Sequence, residues 1–238
     1  GFSYIPGERI INDISLEIKS GETIALVGAT GAGKSTIINL ISRFYEFDSG
    51  DITIDGISIR KYDLKSLRNK VSVVLQDVFL FADSLFNNIT LFDSRISKDK
   101  VIEAAKNIGV HDFIESLPNG YDYNVKERGV MLSTGQRQLI AFLRAYISEP
   151  SILVLDEATS SVDSYSEEII QRAIDTLTKG KTSIIIAHRL ATVKNADRIV
   201  VMHKGDIVEQ GTHDELLKFK DGYYAKLYDV QFAEELAV

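Results

Sequence analysis

Residues 28–36 read GATGAGKST, and the fold turns on them. Gly28, Gly33, Lys34 and Ser35 fill every fixed position of the pattern G-x-x-x-x-G-K-[ST]. An apolar run, TIALV (23–27), precedes the stretch and reads as a buried strand. A helical pattern follows from Lys34 to about Arg43, with Ile37, Ile38, Leu40 and Ile41 on one face. Strand, glycine loop and helix in this order make a phosphate cradle. The glycines let the backbone curl so that its N–H groups converge on phosphate oxygens, and the helix N-terminus adds partial positive charge. The candidate binding residues are therefore Gly28, Ala29, Thr30, Gly31, Ala32, Gly33, Lys34, Ser35 and Thr36. In that role Lys34 reaches the β- and γ-phosphates of a nucleotide and the Ser35 hydroxyl ligates Mg²⁺.

A second stretch, SILVLDEATS (151–160), is an apolar strand that ends in Asp156 and Glu157. At the carboxyl end of a parallel strand, such residues face the crevice where α/β sheets bind ligands. Asp156 is expected near the Mg²⁺, directly or through water. Glu157 is then free to orient or deprotonate the attacking water. Two adjacent carboxylates at a buried strand end repel each other, and a cation relieves that repulsion.

The composition sets outer bounds. The 238 residues suffice for one large domain or two small ones, and 45% hydrophobic residues can fill a sizeable core. The net charge of −7 argues against a nucleic-acid surface. With no cysteine there is neither a disulfide framework nor a thiolate metal site. No stretch approaches the roughly 18 apolar residues of a membrane helix, and the start lacks the pattern of a signal peptide. The chain opens on GFSY, which reads as the tail of a strand cut from a longer polypeptide.

Strand-like and helical runs alternate along the chain, the signature of α/β architecture. ISLEI (14–18) alternates like a half-buried strand. DITIDG (51–56) ends in Asp-Gly, a hairpin signal, and VSVVL (71–75) reads as a buried strand. From Asp77 to Tyr146 the strand signals fade, and DKVIEAAKNIGV, HDFIESL and the stretch after LSTGQ read as helices. Beyond SILVLD come a helix over 164–178, the strand SIIIA, a short helix near 190–195, the strand RIVVM and a turn at HKGD (203–206). Thr212 and Glu215 have capping-box spacing, and a final helix includes YYAKLYDV. TIALV, VSVVL, ILVL and SIIIA suggest central, largely parallel strands.

The stretch MLSTGQRQ (131–138) is a helix start with either Ser133 or Thr134 as N-cap. It carries more small polar groups than a cap needs. Taken with the two stretches above, it completes an ordered set that resembles the ATP-binding-cassette (ABC) ATPase domain. LSTGQ (132–136) resembles the family signature, usually LSGGQ, with Thr134 where glycine is usual. Gln76 resembles the Q-loop glutamine, SSVD (160–163) the D-loop with Asp163, His188 the switch histidine, and Tyr4 the aromatic residue that stacks on adenine. KERGVMLSTGQRQ, QDVFLFADSLFNNI and the stretch from IIIAHRLATV to THDELL are similar to the exporter branch, in which Glu127-Arg128-Gly129 contacts the membrane part.

The resemblance implies one ABC ATPase domain over 1–238. Its ATP-binding core is 1–76 and 147–238, and a helical subdomain over 77–146 carries the signature. The implied fold is an α/β P-loop NTPase with a mostly parallel sheet and an antiparallel β-subdomain on the N-terminal side. The implied reaction is ATP hydrolysis with Mg²⁺, which powers substrate export. Lys34, Gln76, Glu157 and His188 are the implied catalytic residues, and Ser35, Gln76 and Asp156 the metal ligands. ATP would lie between two such domains, in a homodimer or a heterodimer. Residues 28–36, Gln76, Asp156, Glu157 and His188 would come from one chain, and Ser133, Thr134, Gly135 and Gln136 from the other; Tyr4 and Asp163 are further implied nucleotide-binding residues. A transmembrane domain fused upstream of Gly1 and a place at the cytoplasmic face of a membrane follow from the same resemblance. A β-branched residue at 134 is expected to alter either the local backbone or the approach to the γ-phosphate. Nucleic-acid partners are not expected, because the interval between phosphate loop and signature shows no sustained heptads. Importer subunits, a phosphoryl-transfer kinase and a non-hydrolysing regulatory module stand as rival readings.

Overall fold

The computed structural model describes residues 1–156 and 164–231. In chain order the elements are β1 (Phe2–Ile5), β2 (Glu8–Ile11), β3 (Thr23–Val27), α1 (Lys34–Ile41), β4 (Thr53–Ile54), β5 (Ile57–Ser58), α2 (Leu64–Lys70), β6 (Val71–Val74), α3 (Leu85–Thr90), α4 (Lys98–Asn107), α5 (His111–Glu115) and α6 (Thr134–Ile147). There follow β7 (Ile152–Asp156), α7 (Ser164–Thr178), β8 (Thr182–Ile186), α8 (Leu190–Asn195), β9 (Arg198–His203), β10 (Asp206–Gly211), α9 (His213–Leu217) and α10 (Tyr223–Gln231).

Six strands form the main sheet in the order β10-β9-β3-β8-β7-β6. All neighbours are parallel except β10, which returns antiparallel along β9. The apolar strands alternate between two cores. Ala25, Val27, Leu153, Leu155, Ile185, Ile199 and Val201 face one side, where helices α6 and α7 cover them. Ile24, Leu26, Val154, Ile184, Ile186, Val200 and Met202 face the other, with Ile38 and Leu40 of α1 and Leu67 of α2. Burial on both faces explains why these strands read as unbroken apolar runs. No helix among the described residues is long and apolar enough to cross a membrane.

Two antiparallel pairs flank the sheet. β1 pairs with β2, and β4 with β5. Asp55 and Gly56 both take positive φ, 50° and 76°, as a tight turn between β4 and β5 demands. Between β6 and β7 the chain is helical. Ser84 and Ser97 cap α3 and α4 through their side chains.

Several features depart from the sequence reading, which marked neither β2 nor α2. Residues 14–18 form no strand: Ile14, Leu16 and Ile18 do alternate into the core, but no ladder pairs them. Alternating burial is only half of what a strand needs, and the ladder is the other half. Strand β10 was not foreseen, because DIVEQG mixes charge and glycine at the sheet edge. Helix α3 was also missed, being a short turn-and-a-half inside a long irregular stretch.

Candidate functional site

Residues 28–33 join the buried end of β3 to the first turn of α1. Gly28 has φ 152°, and a Cβ there would run into the Met202 carbonyl oxygen. Gly33 has φ 104°, and a Cβ would fall 2.8 Å from Ile11 Cδ1. Only glycine fits either place. The Ala32 N–H donates to the Ala29 carbonyl at 3.1 Å, and the Gly205 N–H to the Ala32 carbonyl at 3.1 Å, which ties the loop to the β9–β10 turn. Helix α1 has no side-chain cap and no acid in its first turn. Its leading N–H groups therefore meet no competing side-chain acceptor, the arrangement that suits an anion.

Lys34 is buried, and its ammonium donates to the carbonyls of Gly28 at 2.6 Å and Ala29 at 3.1 Å. Burial lowers its pKa from the usual lysine value, while the Asp156 carboxylate pulls the other way. Asp156 ends β7, and in the parallel ladder it lies beside Ile186, the last residue of β8. His188 follows two residues later. The Asp156 pKa is raised, first by burial and further by Asp77. His188, Lys34 and a hydrogen bond from Ser35 oppose the rise. His188 is held below the ordinary imidazole value, first by desolvation and then by the Lys34 ammonium, against the pull of Asp156. Lys34, Ser35, Asp156 and His188 thus form one interacting group at the carboxyl ends of β3, β7 and β8. Gln76 is exposed two residues beyond β6, next to Asp77, whose charge reaches Asp156. Glu157 and Asp163 lie outside the described residues.

Tyr4 stands at the side of α1. Its hydroxyl donates to Thr36 Oγ1 at 3.3 Å and accepts from Asn39 Nδ2 at 3.1 Å. Its ring meets those of Phe2 and Tyr45 edge-on, with centroids 4.8 Å and 5.0 Å away.

Of the two candidate caps for α6, Ser133 is the one used. Its hydroxyl accepts from the Gln136 N–H at 3.2 Å, and the Gln136 side chain accepts from the Ser133 N–H at 3.0 Å. Thr134 is the first helical residue and is absent from the positive-φ positions. The expectation of an altered backbone at 134 is therefore corrected: the site is helical, and a β-branched residue fits it. The Thr134 hydroxyl accepts from Arg137 Nη2 at 3.1 Å, and Arg137 Nη1 donates to the Leu132 carbonyl at 2.6 Å.

The side-chain bonds of Ser133, Thr134 and Gln136 run between residues 132 and 137. The four-residue connection 148–151 turns the chain from α6 into β7. Helix α6 packs on β6 and α7, so its N-terminus lies towards the sheet end where Asp156 sits.

Sequence reading missed Asn39, Tyr45, Asp77 and Arg137 as members of these arrangements. Asn39 and Arg137 carried a signal: each lies three residues after a threonine on the same helix face, Thr36 in α1 and Thr134 in α6.

Comparison with known proteins places this geometry. The family model described as ABC transporter matches residues 11–160. A Bacillus subtilis (strain 168) protein, provisionally named multidrug export ATP-binding/permease protein YgaD, is 49% identical over 94% of this chain and 38% of its own length. A Staphylococcus aureus (strain NCTC 8325 / PS 47) protein of the same provisional class is 51% identical over 97% of this chain and 40% of its own. The solved structure of a bacterial Atm1-family ABC exporter with ATP bound superposes with a TM-score of 0.89 at 40% identity. That match covers 97% of this chain and 40% of the other. The chain therefore spans about two fifths of these relatives. The match to the family model takes in the phosphate loop, the signature and Asp156 together, and the chain belongs to the ABC transporter family.

Proposed function

We propose that this chain binds ATP on residues 28–36 and hydrolyses it to ADP and phosphate, and that the reaction powers export across a membrane. The observation that carries the reading is the meeting of Lys34, Ser35, Asp156 and His188 at one end of the sheet. Lys34 is a buried cation that donates to two carbonyls among the described residues, and a phosphate oxygen is an acceptor that would match its charge. Tyr4 supplies a ring for the adenine. His188, whose pKa burial holds below the ordinary imidazole value, can share a hydrogen bond with the transferred phosphoryl group. Glu157, next to Asp156 in sequence, is the general base for the attacking water.

The residues also fit Mg²⁺. Ser35 and Asp156 offer hard oxygen ligands, and Asp156 is a half-buried carboxylate whose charge a cation would relieve. No group of three or more His, Cys, Asp or Glu among the described residues could cage a metal. Gln76 is proposed as a further ligand. When bound, the ion neutralises charge on the β- and γ-phosphates.

Ser133, Thr134, Gly135 and Gln136 act on a nucleotide held by a second domain: the side-chain bonds described for Ser133, Thr134 and Gln136 stay within their own helix start, and residues 28–36 already give this chain a phosphate loop of its own. Asp163 joins that interface. The division into a core of 1–76 and 147–238 and a helical subdomain of 77–146 belongs to the same proposal. Phe79, Phe81 and Phe92 form an exposed ring cluster, with centroids 5.2 Å and 5.7 Å apart. Gly129 abuts Leu80, which lies between Phe79 and Phe81 in the chain, and Val130 and Met131 after Gly129 are exposed. The patch is the proposed seat of the transmembrane part, and the chain would then lie at the cytoplasmic face of a membrane.

Phosphate release from ATP by the full-length protein tests the proposal. Release should require Mg²⁺, and Glu157→Gln should bind ATP while nearly stopping turnover. Undiminished release by Glu157→Gln, or release that ignores Mg²⁺, would contradict it.

A further inference from the structure

Tyr4 is 44% exposed, yet its ring is fixed from three sides. Asn39 Nδ2 donates to its hydroxyl, which in turn donates to Thr36 Oγ1, so the phenol sits in a relay along one face of α1. The ring also meets Tyr45 at 5.0 Å with an interplanar angle of 88°, and buried Phe2 at 4.8 Å and 85°. Tyr45 is itself 48% exposed and leans on Phe2 at 5.9 Å. An exposed aromatic side chain would ordinarily sample several rotamers, and ordering it on binding costs affinity. Here two edge-to-face contacts and two hydrogen bonds set the plane of the ring in advance.

From this we infer that Tyr45 and Asn39 are positioning residues. They hold Tyr4 in the orientation that receives a purine base, and they link that platform to the phosphate loop through Thr36. The inference rests on the reading of Tyr4 as the base-stacking residue. Thr36 belongs to the loop, and Asn39 lies one helical turn further along α1. A shift of the phosphate loop would therefore carry the platform with it. Tyr45 does not touch the nucleotide in this account. Its effect passes through the Tyr4 ring.

The test uses the full-length protein and two probes, ATP and inorganic tripolyphosphate. The second has the phosphates without the base. Tyr45→Ala should raise the Kd and KM for ATP about threefold to tenfold, the weight of one edge-to-face ring pair. Tripolyphosphate affinity and kcat at saturating ATP should hold, and Tyr45→Phe should restore ATP affinity. Asn39→Ala should act in the same direction. Intact tripolyphosphate binding also shows that the variants fold. If Tyr4→Ala weakens ATP but Tyr45→Ala and Asn39→Ala do not, the positioning role is overturned. The same follows if Tyr45→Ala weakens both probes equally. If Tyr4→Ala leaves ATP affinity unchanged, the base-stacking reading falls and takes the inference with it.

Discussion

Lys34 Nζ lies 2.6 Å from the Gly28 carbonyl oxygen, so the cation at the end of the loop is bonded to the residue that opens it. The loop is held in a curled shape by its own lysine. Phosphate would exchange a neutral acceptor for a charged one. Lys34→Ala should therefore keep the fold but weaken ATP binding about tenfold to a hundredfold, the weight of one or two charge-assisted hydrogen bonds. Equilibrium titration with ATP reads this directly, and unchanged affinity would remove Lys34 from the site.

Asp156 gives a pH signature. Its pKa is raised, chiefly by burial. The folded state therefore binds this proton more tightly than the unfolded state. The charged carboxylate costs stability at neutral pH, and that cost fades as pH falls through the folded pKa towards the ordinary carboxyl value. Asp156→Asn should raise Tm by about 2 °C near neutral pH, with the gain shrinking as pH is lowered towards the ordinary carboxyl value. Mg²⁺-dependent turnover should fall at least about tenfold. A lower Tm for the variant at neutral pH would contradict the account.

Thr134 occupies a helical position and is bonded to Arg137. Glycine there relieves no strain, removes that bond and loosens the start of the helix. Thr134→Gly should lower stability by about 0.5–1 kcal/mol and bring no rise in ATPase rate. A several-fold faster variant would mean that the threonine side chain itself restrains the site.

Arg144 ties α6 to the 79–88 segment. Its Nε donates to the Asn88 carbonyl at 2.6 Å, Nη1 to the Phe79 carbonyl at 2.9 Å and Nη2 to Asn88 Oδ1 at 3.0 Å. Burial pushes its pKa down to about 10. Asn88 is fully buried and also bonds Phe81 through both its amide groups. Arg144→Met leaves these acceptors unmatched and should cost about 2–4 kcal/mol in urea unfolding. Arg144→Lys should recover little, because an ammonium cannot reproduce the planar fork.

Contiguous chemistry was the part of this molecule legible in sequence. Residues 28–36 carry their glycines, lysine and serine side by side, and the structure places Lys34 and Ser35 against Asp156. Periodicity located α7 at Ser164–Thr178 and α8 at Leu190–Asn195, and Asp55-Gly56 marked its hairpin. What stayed hidden depends on pairing across distance. Tyr4 meets Asn39 across 35 positions, and Arg144 meets Asn88 across 56. The alternation of 14–18 could not announce that no neighbouring strand would pair with it. At Thr134 the family pattern suggested a special backbone, but a residue one place after an N-cap is simply helical.

The central claim is that the Ser133 helix start completes a site built on another chain's phosphate loop. Mixing two disabled variants tests it most directly. Lys34→Ala removes the loop's cation, and Ser133→Arg blocks the signature while leaving its own loop intact. Each alone should lack ATPase activity. In an equal mixture of full-length proteins, mixed dimers regain one intact site, so about a quarter of the wild-type rate should return. A mixture as inactive as its parts would contradict the account, because it would place both residues in one chain's own site.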